Sequence, residues 1–169
     1  MEYFFNFEKL AYVTGKKPDG CILCLIRDNA PEVVNLTVHE SELFIVSINL
    51  YPFNPGHLMV FPRRHLTDIR ELSAAENLEL SVLINQTLTL IDGLYNPAGY
   101  NIGYNMGAAA GASIDHIHMH IIPRYPRELG IADLLAGRRV LVESPLDSAE
   151  RVRKAFLSSS DSASGTTEV

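Results

Sequence analysis

Three histidines occupy alternate positions in one short run, His116-Ile117-His118-Met119-His120-Ile121-Ile122. An extended strand sends successive side chains to opposite faces, so the three imidazoles share one face. Ile117, Met119 and Ile121 then turn to the other face and can enter a core. A helix would scatter the same rings through roughly 400° and bury none of the alternate residues together. The spacing therefore predicts a strand over 116–122, closed by Pro123. One histidine on a half-exposed strand is ordinary; three in register, beside the small-residue loop Gly107–Ser113, point to a site. A three-histidine metal site is one reading, although same-face neighbours on a strand lie about 7 Å apart and would converge poorly on one ion. Phosphate chemistry is the other, since each imidazole can act as nucleophile, acid or donor near neutral pH.

The rest of the chain supplies the layers that such a strand needs. Asn35–His39, Leu43–Asn49 and His57–Phe61 are rich in β-branched and aromatic residues and predict strands, with Tyr51–Gly56 a turn and Pro62 a stop. Ser73 and Glu76 form a capping box ahead of Leu80, Leu83, Ile84, Leu88 and Ile91, which predicts a long helix over 74–94 ended by Gly93 and Asn96-Pro97. A strand over 100–105 follows, and a short last helix over about 147–156. Residues 1–157 read as one domain, with 1–20 an N-terminal extension whose aromatics (Tyr3, Phe4, Phe5, Phe7, Tyr12) pack on the body or on a second copy. Residues 158–169, mostly small and polar, are expected to be disordered. Fourteen Lys and Arg against 20 Asp and Glu leave a formal charge of −6, which argues against broad contact with a nucleic-acid backbone. No apolar run reaches the roughly 20 residues of a membrane span. The first residues lack the basic and small-residue pattern of a signal peptide, so a cytoplasmic location is expected.

The run His-Ile-His-Met-His-Ile-Ile resembles the signature of the histidine triad (HIT) family of nucleotidyl hydrolases and transferases. Further segments fall in family order: Gly20-Cys21-Ile22-Leu23-Cys24, Asn49 through Gly56-His57-Leu58-Met59-Val60, Pro62-Arg63-Arg64-His65, Asn105-Met106-Gly107 with Gly111-Ala112-Ser113, and Pro123-Arg124. The likeness covers roughly residues 12–145 and is closest to the diadenosine tetraphosphate phosphorylase (ATP adenylyltransferase) branch. It departs from that branch after the triad, where Tyr125-Pro126-Arg127-Glu128-Leu129-Gly130 replaces the usual tryptophan-containing segment.

The resemblance implies an α+β fold: an antiparallel sheet of about five strands, one long helix and a short C-terminal helix. It implies His118 as the nucleophile toward a nucleotide α-phosphorus, with His120 and His57 stabilising charge on the phosphate oxygens. Asn49 would contact the ribose, and Asn105, Gly107, Gly111 and Ser113, with His120, the phosphates. The expected reaction is phosphorolysis of a dinucleoside polyphosphate. Water as acceptor and a non-catalytic nucleotide sensor are the alternatives. Cys21, Cys24, His65 and His116 match the family positions of a structural zinc ion; by spacing alone, a redox C-x-x-C pair or two buried thiols also remain open. The resemblance requires no organic cofactor and leaves room for a divalent cation accompanying the polyphosphate. Partners would be a nucleotide and phosphate, and the chain a homodimer or larger. Arg63, Arg64, Arg124 and Arg127 are candidates for drawing in a polyphosphate tail.

Overall fold

Two strands, β2 (Phe44–Ile48) and β3 (Leu58–Pro62), are buried at every position, so both faces of the sheet centre must be covered. The computed structural model describes residues 18–126, 128, 141 and 143–164. The aromatic segment before Pro18, Arg127 and the last five residues lie outside the described residues. With α1 (Ile22–Arg27), β1 (Thr37–Glu40), α2 (Ala74–Tyr95), β4 (Gly99–Tyr104), β5 (Met119–Arg124) and α3 (Pro145–Ser164), the strands form one five-stranded antiparallel sheet in the order β1-β2-β3-β5-β4. The expected α+β architecture is present.

Strand alternation assigns the two faces. Phe44, Val46, Ile48, Leu58, Val60, Met119 and Ile121 form one cluster with Leu80, Leu83 and Ile91 of α2 and Ala149, Val152 and Phe156 of α3. Ile45, Met59 and Phe61 face the other way, against Leu23 and Ile26 of α1. The second face is the one that the triad histidines share. The β2–β3–β5–β4 register sets Ser47, Met59, His120 and Gly103 in one row across it.

Three predicted boundaries move. Strand pairing begins at Met119 rather than His116, because the Ile117 amide bonds the Leu66 carbonyl (2.6 Å) instead of a strand partner. It also continues through Pro123, which the sequence makes a stop. Pro123 sits opposite Tyr100, and its carbonyl points away from β4 to accept from Asn54 Nδ2 (2.5 Å). The edge of Pro123 that lacks a donor therefore faces the side where β3 no longer pairs. In α2 the capping box forms as predicted, yet the helix passes Gly93 and stops at Asn96 in the left-handed region (φ 45°). One interior glycine costs only about 1 kcal/mol, and Ile91, Leu94 and Tyr95 pack on the core around it.

The C-terminal helix is 20 residues long rather than short. Ser158 and Ser159, expected in a disordered tail, lie within the helix and donate their hydroxyls to the carbonyls of Lys154 and Phe156 (3.0 and 2.8 Å), which satisfies them there. Val152 and Phe156 anchor it, and Arg153 donates to the Thr37 carbonyl on β1 (2.7 Å).

The start of α2 carries the most strongly held carboxylate of the core. Glu76 is only 3% exposed and accepts from Arg64 Nε (2.6 Å) and Nη2 (2.8 Å) and from the Ser73 amide (2.7 Å). The Arg64 guanidinium, helped by Ser73 and opposed by burial, holds its carboxyl down at about 2. A carboxyl depressed in the folded state stabilises the fold fully above its unfolded pKa of about 4.3 and loses that contribution as pH falls toward the folded value. Glu76→Gln is expected to lower unfolding free energy at pH 7 by roughly 1–3 kcal/mol. Urea titrations of both proteins between pH 7 and pH 2.5 should show the gap closing as the pH drops.

Candidate functional site

The loop after β4 and the start of β5 bring two histidine clusters onto the α1 side of the sheet, joined through His116. Its carbonyl accepts a hydrogen bond from His118 Nδ1 (2.8 Å). A carbonyl cannot donate, so the His118 proton is on Nδ1 and Nε2 keeps its lone pair. His118 is 4% exposed and lines the cleft described below. Burial lowers its pKa, against the raising effect of the His116 carbonyl, and favours the neutral ring.

A second chain of bonds fixes the neighbouring tautomers. The Phe53 amide donates to His57 Nδ1 (3.1 Å), so the proton of neutral His57 sits on Nε2, which faces His120 Nδ1 at 3.0 Å. His120 then carries its own proton on Nε2. Its ring stands edge-on to that of His118, with centroids 4.8 Å apart. His57 is fully buried behind His120 and is absent from the cleft lining, so it acts through His120 rather than on a bound molecule. The turn that delivers it needs a glycine: Gly56 has φ +74°, and a Cβ there would lie 3.2 Å from the Tyr95 ring. Asn54, also buried, ties this turn to the end of β5 through the Pro123 carbonyl and Glu128 Oε1.

The cleft runs across this face. Its lining combines apolar side chains, Ile22, Leu23 and Ile26 of α1 with Val34, Leu36 and Ile48, and polar ones, Ser47, Asn49, Asn105, Ser113, His118 and His120. Asn49, Asn105, Gly111 and Ser113 line this cleft together with His118 and His120. Asn49 also serves its own turn, its Oδ1 accepting from the Tyr51 amide (2.9 Å) and its Nδ2 lying 3.4 Å from His57 Nε2. Gly107 is not part of the lining. It holds φ +80° and starts the short 3-10 turn Ala108–Ala110, its carbonyl accepting from Ala110 and Ala112.

Of the four arginines expected to collect phosphate, Arg127 lies outside the described residues and the other three pair with carboxylates. Arg63 pairs with Glu40, Arg64 with Glu76 and Arg124 with Glu128, and none lines the cleft. Sequence reasoning passed over α1 as a cleft wall, although the apolar pairs Ile22-Leu23 and Leu25-Ile26 were a signal. It also passed over the Phe53 amide, which leaves no trace in a side-chain pattern.

The second cluster consists of Cys21, Cys24, His65 and His116, whose donor atoms all lie within 4.8 Å of one another. His116 Nε2 donates to the Pro62 carbonyl (2.9 Å), which turns the lone pair of Nδ1 toward Cys21 Sγ (3.5 Å) and Cys24 Sγ (3.6 Å). His65 Nδ1 lies 3.5 Å from Cys24 Sγ. Sulfur and nitrogen ligands of one tetrahedral zinc ion are separated by about 3.6 Å, given bond lengths of about 2.3 and 2.0–2.1 Å. Burial, followed by neighbouring His65, pushes His116 down to about 4, so the ring offers a lone pair rather than a proton. The four residues could hold a metal ion. A three-histidine site is not built, because His116 turns to the cysteines while His118 and His120 turn to the cleft.

A model described as HIT domain matches residues 30–127. An AP-4-A phosphorylase of Mycobacterium tuberculosis is 35% identical over 107 residues, covering 63% of this chain and 55% of that protein. An asymmetrical bis(5'-nucleosyl)-tetraphosphatase of Schizosaccharomyces pombe is 30% identical over 97 residues, covering 57% and 53%. The chain thus spans about half the length of these relatives. The crystal structure of a Zn-bound histidine triad family protein from Mycobacterium smegmatis superposes with a TM-score of 0.65 at 27% identity, covering 85% of this chain and 97% of that one. Among the described residues, no helix is long and apolar enough to cross a membrane. With the triad, its fold and more than half its length inside the family match, the chain belongs to the HIT-domain family.

Proposed function

We propose that the cleft binds the nucleoside monophosphate unit of a dinucleoside polyphosphate and that His118 transfers it, through a nucleotidyl-histidine, to inorganic phosphate. The observation that carries this reading is the His118 tautomer, a neutral imidazole with Nδ1 spent on a backbone carbonyl and Nε2 available at the cleft. The apolar side chains of the lining suit a planar base, and its polar groups suit ribose and phosphate. The 35% identity to a protein named for phosphorolysis of such a compound supports the choice of acceptor.

The steps balance without any further reagent. His118 Nε2 attacks the α-phosphorus in line; the bond to the bridging oxygen breaks and its electron pair leaves with the polyphosphate. His120, with its proton on Nε2, donates to the oxygens on which charge develops, and Asn105 and Ser113 add donors from the loop. An oxygen of orthophosphate then attacks from the opposite side and Nε2 departs, giving one nucleoside diphosphate and one nucleoside triphosphate. His57 keeps His120 in the donating tautomer and is a positioning residue. Cys21, Cys24, His65 and His116 would hold zinc as a closed set of four protein ligands, whose chemistry is to cross-link α1 to the start of the triad run. Water as acceptor is the second reading, favoured by the tetraphosphatase relative.

Incubation with diadenosine tetraphosphate decides the acceptor. ADP and ATP appearing only with added orthophosphate is the expected result; AMP and ATP in its absence would make the protein a hydrolase. His118→Ala is expected to lower kcat/KM by at least about a thousandfold and to abolish acid-labile labelling by an adenylate-labelled substrate. Metal analysis should find about one zinc per chain, and Cys24→Ser should lose most of it along with thermal stability.

A further inference from the structure

The metal cluster and the cleft share walls. Ile22 and Leu23 stand between the two cysteines in sequence and form part of the apolar lining of the cleft. Ser113 and Ile114 line the cleft on one side and, on the other, a second depression that opens onto Cys21, His65 and His116. Both thiols are partly exposed. Cys21 caps α1 and Cys24 lies three residues on, one turn later on the same side, so closing their sulfurs to about 2.05 Å would act first on the turn that holds Ile22 and Leu23.

We infer that Cys21 and Cys24 are a peroxide-sensitive dithiol whose oxidation to a disulfide expels the metal and distorts the apolar wall of the cleft, making nucleotide affinity depend on thiol redox state. This inference rests on the zinc and nucleotide readings above. One thiolate attacks a peroxide oxygen and becomes a sulfenic acid; the second displaces its hydroxyl. In sum, two thiolates, one hydrogen peroxide and two protons give one disulfide and two waters, and the ion leaves as the dication it was.

The nucleophile is insulated from this change. His116 keeps its place without the sulfurs, through its bond to Pro62, the Phe61 ring against its edge and the Ile117 amide on Leu66. The carbonyl that orients His118 therefore remains. Oxidation acts on binding, not on the transfer step.

The test treats the zinc-loaded, reduced full chain with hydrogen peroxide. It follows zinc with a chromogenic chelator, the 21–24 peptide by mass, AMP binding by calorimetry and turnover at saturating substrate. The expected result is release of the bound zinc in step with loss of two hydrogens from the cysteine pair. The AMP Kd should rise about tenfold or more, the loss of one well-buried aliphatic contact, while kcat changes less than Kd. Dithiothreitol with zinc should restore the starting affinity. A disulfide with zinc retained, a disulfide with unchanged AMP affinity, or thiols that survive millimolar peroxide would each overturn the inference. Failure of the reduced protein to bind zinc at all would instead remove the metal reading, and failure of the reduced, zinc-loaded protein to bind AMP would remove the nucleotide reading.

Discussion

The hydrogen bond from His118 Nδ1 to the carbonyl of His116 holds together everything the site can do. It selects one of two neutral tautomers, leaves one ring nitrogen with its lone pair, and aims that nitrogen at the cleft. The bond is only as rigid as His116, whose ring is held by the Pro62 carbonyl and the Phe61 ring as well as lying against the cysteine cluster, and whose following amide is held at Leu66. One residue therefore joins the part of the molecule suited to a structural metal ion to the part suited to phosphoryl chemistry.

The companion relay works by the same logic with different atoms. A main-chain amide at Phe53 sets His57, His57 sets His120, and His120 is left as a donor. The site thus pairs a base with a hydrogen-bond donor made from the same side chain, the difference being set wholly by what sits behind each ring. No arginine contributes to the described cleft walls, and charge on a bound phosphate would be met by histidine, asparagine and serine groups.

Much of this was legible in the sequence because alternation is a hard constraint. Three histidines at i, i+2 and i+4 can share a face only in an extended chain, and that face is where they lie. The Ser73–Glu76 capping box was equally direct, since both of its bonds are local. The convergence of Cys21, Cys24, His65 and His116 came from a family likeness, not from spacing; what brings such distant residues together is sheet order, which periodicity does not encode. Other features depend on partners far along the chain. Pro123 stays in β5 because its missing donor faces an unpaired edge and Asn54 takes its carbonyl. Ser158 and Ser159 remain in α3, where each hydroxyl finds a carbonyl of its own helix. Arg63 and Arg64 pair with Glu40 and Glu76 and do not line the cleft. Composition describes what a residue prefers; these cases turn on what its neighbours offer.

Long-range proton–nitrogen correlation spectra of the histidine rings at neutral pH read the deciding feature without substrate or turnover. The account predicts that His118 is neutral with its proton on Nδ1 and a bare Nε2, while His57 and His120 both carry theirs on Nε2. A His118 proton found on Nε2, or a charged His118 ring, would contradict it.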